Sequence, residues 1–191
     1  MILTDRQEKL FEFVKECHKG QFRKYTGEPY HVHPYAVAEL VSSYVQSEFT
    51  IEIALCHDLF EDTDCDRSML LSVLTEKLGY ELQDSRYICH HVEELTDVYT
   101  SEAYPDFNRD IRKGLEFIRL RDISSISQSV KYADLIDNTE SIVDRDEKFA
   151  KVYLKEKEVL LQRMRDGDMY LFADCVGALR DAFKYLEYKE L

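Results

Sequence analysis

The chain has 191 residues, 45% of them hydrophobic and 33% charged, and a formal net charge of −13. That length suits one domain with a sizeable core. The acidity argues against a general duplex-DNA-binding surface, because phosphate neutralisation supplies most non-specific affinity, but it leaves room for a small anionic ligand in a local basic pocket. No apolar run approaches the roughly 20 residues of a membrane span, and the N-terminus lacks the basic and apolar regions of a signal peptide. Five scattered cysteines (Cys17, Cys56, Cys65, Cys89 and Cys175) without a CxxC pair favour free thiols in a reducing compartment. The expectation is a single domain over residues 1–191, cytoplasmic, without nucleic-acid or membrane partners.

Few glycines and prolines, together with 3.6-residue periodicity and little alternation, predict an all-α fold. Thr4 and Gln7 have the spacing of a capping box opening a first helix, with Leu10, Phe11, Val14 and Cys17 on its inner face. Residues 20–34 read as a loop, and a second helix is expected over about 35–46. A third starts near Thr50, a fourth spans about 67–78 and ends at Gly79, and a fifth runs over about 82–95. A sixth is expected at about 107–120 after Pro105, and a seventh at about 125–142. Two amphipathic helices at about 148–165 and 169–188 complete the chain. No internal repeat, low-complexity tract or linker interrupts it.

One stretch of the third helix, "IALCHDLFEDT" (residues 53–63), places His57, Asp58, Glu61 and Asp62 within six residues. On a continuous helix these positions are three and four apart and share one broad sector. So many carboxylates repel one another unless a cation or a strong hydrogen-bond network neutralises them, and adjacent His and Asp are ligands of first-row divalent metals. A buried polar network without metal is the competing reading, and the cost of desolvating the carboxylates weighs against it. Partners would come from "HVHP" (residues 31–34) and from "KYADLIDN" (residues 131–138), where Asp134 and Asn138 share a helical face. Cys89, His90 and His91 lack a partner cluster and read as ordinary helix. His18 is compatible with a pocket or with a helix end, and Tyr25, Tyr30 and Tyr132 with base stacking or with the core.

Taken in order, "HP … HDLFEDT … KYADLIDN" resembles the HD-domain phosphohydrolases, and more closely the hydrolase domain of the RelA/SpoT family. "HKGQFRKYTGEPYHVHP" (18–34), "VEELTD" (92–97) and "RKGLEFI" (112–118) extend the resemblance over roughly residues 1–140, with the motif blocks inside 18–138. The resemblance implies an HD-type helical bundle with a metal site between helices. His33, His57, Asp58 and Asp134 would be the ligands of a divalent ion, usually manganese. Glu61 and Asp62 would orient and activate the attacking water. Arg23 and Lys24 would contact a guanine nucleotide, Lys131 and Asn138 would line its pocket, and Arg109, Arg112 and Lys113 would stand near its phosphates. Residues 98–107 depart from the family in length and composition.

Nothing matches a synthetase domain, so the resemblance is to the stand-alone small alarmone hydrolases. The implied activity is removal of the 3′-pyrophosphate from guanosine tetra- and pentaphosphate. Alternatives are the same chemistry on an adenosine alarmone or on the 2′-phosphate of NADPH, or a non-catalytic alarmone-binding module.

Overall fold

Every regular element in the computed structural model of the chain, which describes residues 1–143 and 145–189, is helical; the nearest thing to a strand among them is an isolated antiparallel bridge between Phe22 and Pro29. The fold is all-α. No helix among the described residues is long and apolar enough to cross a membrane. The chain divides into two compact units, Met1–Thr96 and the residues from Asp97 onward.

The first unit contains α1 (Asp5–Cys17), α2 (Val32–Ser42), α3 (Thr50–Cys56), α4 (Leu59–Asp62), α5 (Arg67–Ser72) and α6 (Leu82–Leu95). α1 opens on the expected capping box: Gln7 N donates to Thr4 Oγ1, and Thr4 N donates to Gln7 Oε1. α3 is the hub, with α1, α2 and α6 packed on it. Its residues 52–56 are all buried, as are Leu10 and Val14 of α1, Val37 and Val41 of α2, and Ile88 and Val92 of α6. α5 passes into a π-helical turn, Val73–Lys77, which stops at Gly79 with φ +70, a conformation that favours glycine.

Two boundaries differ from expectation in ways that build the site. α2 starts at Val32 rather than near Tyr35, so His33 and Pro34 lie in its first turn. Proline is tolerated there because the amide it lacks has no intrahelical acceptor anyway. The helix also ends early, where Ser42 and Ser43 hydroxyls both donate to the Glu39 carbonyl. The expected third helix is broken at His57–Asp58 into α3 and α4. His57 Nδ1 lies 2.7 Å from the Ala54 carbonyl, the acceptor that the Asp58 amide would use in a continuous helix. The side chain of the motif's own histidine thus competes with the helix that carries it.

The second unit contains α7 (Arg109–Arg121), α8 (Ser125–Val143), α9 (Glu147–Leu161) and α10 (Met169–Lys189). α8 packs on α9 and α10, α9 on α10, and α7 on α9. Asn108 caps α7 instead of lying inside it, accepting from Ile111 N at 2.9 Å. α9 ends at Leu161, short of the expected Arg165. Buried Glu116 accepts from the amides of Val98 and Tyr99, each at 3.0 Å, and so ties the segment before α7 to that helix.

Candidate metal centre and active site

His33, in the first turn of α2, and His57 and Asp58, at the α3–α4 break, converge so that one ligand atom from each lies within 4.8 Å of the others. Asp58 Oδ1 is 3.1 Å from His57 Nε2, and Oδ2 is 3.4 Å from His33 Nε2. The two imidazoles meet edge to face with centroids 5.1 Å apart, and each histidine is only 2% exposed. Because a carbonyl only accepts, the bond to Ala54 places the hydrogen of neutral His57 on Nδ1 and leaves the Nε2 lone pair facing Asp58. A lone pair against a carboxylate calls for a proton or a cation between them. Two imidazole nitrogens and a carboxylate are a donor set for a first-row divalent ion, so the residues present fit one.

Tyr30 holds this cluster from below. Residues 21–30 form a tight loop: Arg23 N donates to Glu28 O, Tyr30 N to Gln21 O, and Gly27 turns the chain at φ +75. Its Tyr30 hydroxyl sits 2.8 Å from Asp58 Oδ2 and 2.6 Å from Asp62 Oδ2. Burial and the two carboxylate charges push this phenol far above its usual range, so it stays protonated. One phenolic hydrogen serves two carboxylates. Burial, then the Asp58 charge, raises the Asp62 pKa against the opposing hydrogen bond from Tyr30. His18 stacks on Tyr30 at 4.7 Å, and burial pushes its pKa down; its Nδ1 lies 2.7 Å from Gln21 Oε1. Gln21 Nε2 in turn donates to the Asp62 carbonyl at 2.6 Å.

The break in the helix changes how the four motif residues are arranged. Asp62 is joined to Asp58 through Tyr30, and Glu61 beside it on α4 is likewise exposed. Arg23 and Lys24 lie on the Tyr30 loop, with the Lys24 ammonium 5.0 Å from the centre of the Tyr25 ring. His31 precedes α2 and packs its ring against Phe11. His90 and His91 are ordinary residues of α6, with His91 Nδ1 3.0 Å from Glu94.

The second unit brings other predicted residues together. Asp134 is 4% exposed on α8; Lys131 Nζ lies 2.9 Å from its Oδ2, and Asn138 Nδ2 donates to its Oδ1. Lys113 pairs with Asp97 at 2.9 Å, and Asp97 also feels Lys131 and Lys157, so that the lysine charges hold its carboxyl below the usual range despite burial. Lys157, on α9, went unnoticed in the sequence. Burial and the charges of Lys131 and Lys113 push it down to about 8. Three lysines around two carboxylates make a local positive centre in an acidic chain. Arg109 and Arg112 are engaged elsewhere: Arg109 forks onto Glu156 at 2.8 and 2.9 Å, and Arg112 donates to the Phe107 carbonyl. In the sequence Lys157 is one lysine among several on an amphipathic helix; only packing distinguishes it.

The all-α fold is the one that the HD motif implied, and three of the four ligands it implied, His33, His57 and Asp58, form a group that could hold a metal ion. No family model matches the chain. It is 31% identical over 157 residues to a guanosine-3′,5′-bis(diphosphate) 3′-pyrophosphohydrolase of Aquifex aeolicus, covering 80% of this chain and 20% of that protein. A probable enzyme of the same name from Mycoplasma pneumoniae is 27% identical over 143 residues, 70% of this chain and 18% of its own length. A GTP pyrophosphokinase of Myxococcus xanthus is 29% identical over 123 residues, 64% of this chain and 14% of the relative. The chain thus spans about a fifth or less of the curated relatives it matches. Its fold is that of a solved structure described as a metazoan orthologue of SpoT that hydrolyses ppGpp: TM-score 0.76, 21% identity, covering 95% of this chain and 97% of that one. In sequence and fold the chain resembles the SpoT-type hydrolases.

Proposed function

We propose that the chain is a cytoplasmic, metal-dependent phosphohydrolase that removes the 3′-pyrophosphate from guanosine 3′,5′-bis(diphosphate) and its pentaphosphate analogue. The observation that carries this reading is the His33–His57–Asp58 cluster with its shared Tyr30 hydrogen bond to Asp62. The similarity to bacterial 3′-pyrophosphohydrolases supports the choice of substrate.

His33, His57 and Asp58 would hold the ion, proposed to be Mn²⁺, with Asp134 assigned as a fourth ligand on the sequence resemblance. When bound, such an ion supplies Lewis acidity, polarising the phosphoryl group and acidifying water. The Asp62 carboxyl, held by Tyr30, orients the water. Glu61, an exposed carboxylate on α4, accepts its proton. Lys113, Lys131 and Lys157 counter the phosphate charge, Asn138 lines the pocket, and Arg23 and Lys24 bind the guanine nucleotide. Arg109 and Arg112 contribute near the phosphates if substrate draws them from Glu156 and the Phe107 carbonyl.

The test is release of pyrophosphate by the full chain with Mn²⁺ across a panel of guanosine tetraphosphate, an adenosine alarmone and NADPH. Manganese-dependent pyrophosphate release from the guanosine substrate above the others is expected. Preference for NADPH would redirect the substrate assignment, and binding of guanosine tetraphosphate without turnover would make the chain a sensor.

A further inference from the structure

α4 is a single turn, Leu59–Asp62, and a helix that short has little stability of its own. Asp62 is its final residue, so the carbonyl there has no donor within the helix. The donor comes from 41 residues upstream: Gln21 Nε2 reaches that oxygen at 2.6 Å. A carbonyl only accepts, so the amide nitrogen of Gln21 faces it, and the amide oxygen faces His18 Nδ1 at 2.7 Å. That oxygen only accepts in its turn, which places a hydrogen on His18 Nδ1. Both ends of the Gln21 amide are thus engaged. Its backbone is pinned as well: Gln21 N donates to the His18 carbonyl, and Gln21 O accepts from Tyr30 N, each at 3.0 Å. Buried His18 lays its ring on Tyr30, whose hydroxyl reaches Asp62 Oδ2 at 2.6 Å. Asp62 is therefore held twice, at its carbonyl through Gln21 and at its carboxyl through Tyr30, and both routes lead back to His18.

We propose that Gln21, locked by His18, is a positioning residue that fixes the direction of the Asp62 carboxyl by capping the one-turn helix that carries it. The Tyr30 bond alone does not do this, because a carboxyl can keep one hydrogen bond through several side-chain rotamers and backbone positions. With the carbonyl anchored too, the residue is tied at both ends and its carboxyl holds one geometry, which is what a group that orients a reactant needs. The Gln21–Asp62 bond is open to solvent, so its loss costs a modest factor and leaves the fold standing. The bracing itself is independent of the reaction; its effect on turnover rests on the hydrolase reading.

The experiment compares the full wild-type chain with Gln21→Met, which loses both bonds, and Gln21→Glu, which keeps an acceptor for His18 but has no donor for the Asp62 carbonyl. Amide hydrogen exchange, read by mass spectrometry without metal, should quicken about three- to tenfold over residues 59–66 in both variants, the value of one net hydrogen bond. Peptides of α2 and α6 should keep wild-type rates. Unchanged exchange over 59–66, or equal quickening everywhere, would overturn the proposal. With Mn²⁺ and guanosine tetraphosphate, kcat should fall by about the same factor at unchanged KM and metal stoichiometry. In an Asp62→Asn background, Gln21→Met should add no further loss, because it acts through that carboxyl; additive losses would reduce Gln21 to a structural part. A wild-type chain without turnover would refute the hydrolase reading, and the exchange result would then decide the bracing by itself.

Discussion

Tyr30, Glu61 and Lys157 are each open to a direct test. Tyr30→Phe removes the one hydrogen that the Asp58 and Asp62 carboxylates share. The variant is expected to keep its fold, to lose turnover by about tenfold or more, as for a charge-assisted hydrogen bond of roughly 1.5–3 kcal/mol, and to shift the pH profile of kcat, because Asp62 loses the bond that lowers its pKa. An unchanged profile would leave Tyr30 as mere packing. Glu61→Gln keeps size and exposure but removes the base; metal stoichiometry should hold while turnover falls about 10²- to 10⁴-fold. A metal-free variant would make Glu61 a ligand, and near-normal turnover would remove it from the reaction. Lys157 has a folded pKa depressed from 10.5 to about 8. Between those pH values the unfolded chain binds more protons than the folded one, so stability rises with pH across that window. Lys157→Met should therefore raise stability at pH 7, by up to about 3 kcal/mol at 1.36 kcal/mol per unit, and flatten the rise in denaturant midpoint between pH 8 and 10.5. The same variant should weaken substrate binding, seen as a higher KM.

At the scale of elements, local rules and side-chain competition set where the helices stop, and close packing sets how they meet. The turn into α10 passes so near α8 that a Cβ on Gly167 would stand 2.5 Å from Tyr132 Cε2 and 2.9 Å from the Ser129 amide nitrogen. Neither neighbour yields easily: Tyr132 is fully buried with its hydroxyl donating to the Met164 carbonyl at 2.9 Å, and the Ser129 contact is backbone. Gly167→Ala is expected to cost about 1–3 kcal/mol, the usual range for overpacking, read as a lower denaturant midpoint at unchanged m-value. Gly114 and Gly177, which meet nothing within 4 Å, serve as controls for glycine loss in a helix. There the same substitution should be neutral or stabilising by up to about 1 kcal/mol.

For the whole molecule, the net charge of −13 and the centre built from carboxylates and imidazoles point the same way. A divalent ion that binds only the folded chain should raise its stability by about 2.7 kcal/mol at a free concentration one hundred times Kd. The measurement is the midpoint of thermal unfolding with Mn²⁺ and with a chelator. His57→Ala should remove most of that difference, because it deletes one of the converging donors; a full Mn²⁺ shift in that variant would displace the ion from this site.

The sequence alone determined the helical class, the capping box at Thr4, the stop at Gly79 and the identities of the ligand-type residues, because each depends on local periodicity or on chemistry carried by a single residue. The pairing of His33 with His57 and Asp58 was suggested by motif order, but contact between α2 and α3 brings these groups together. Tertiary structure also broke the motif helix at His57 and moved the start of α2 to Val32. It hung both Asp58 and Asp62 on Tyr30 and set Lys157 beside Lys131 and Lys113. These outcomes rest on burial and on side chains competing for backbone acceptors across many residues, interactions that linear spacing does not carry.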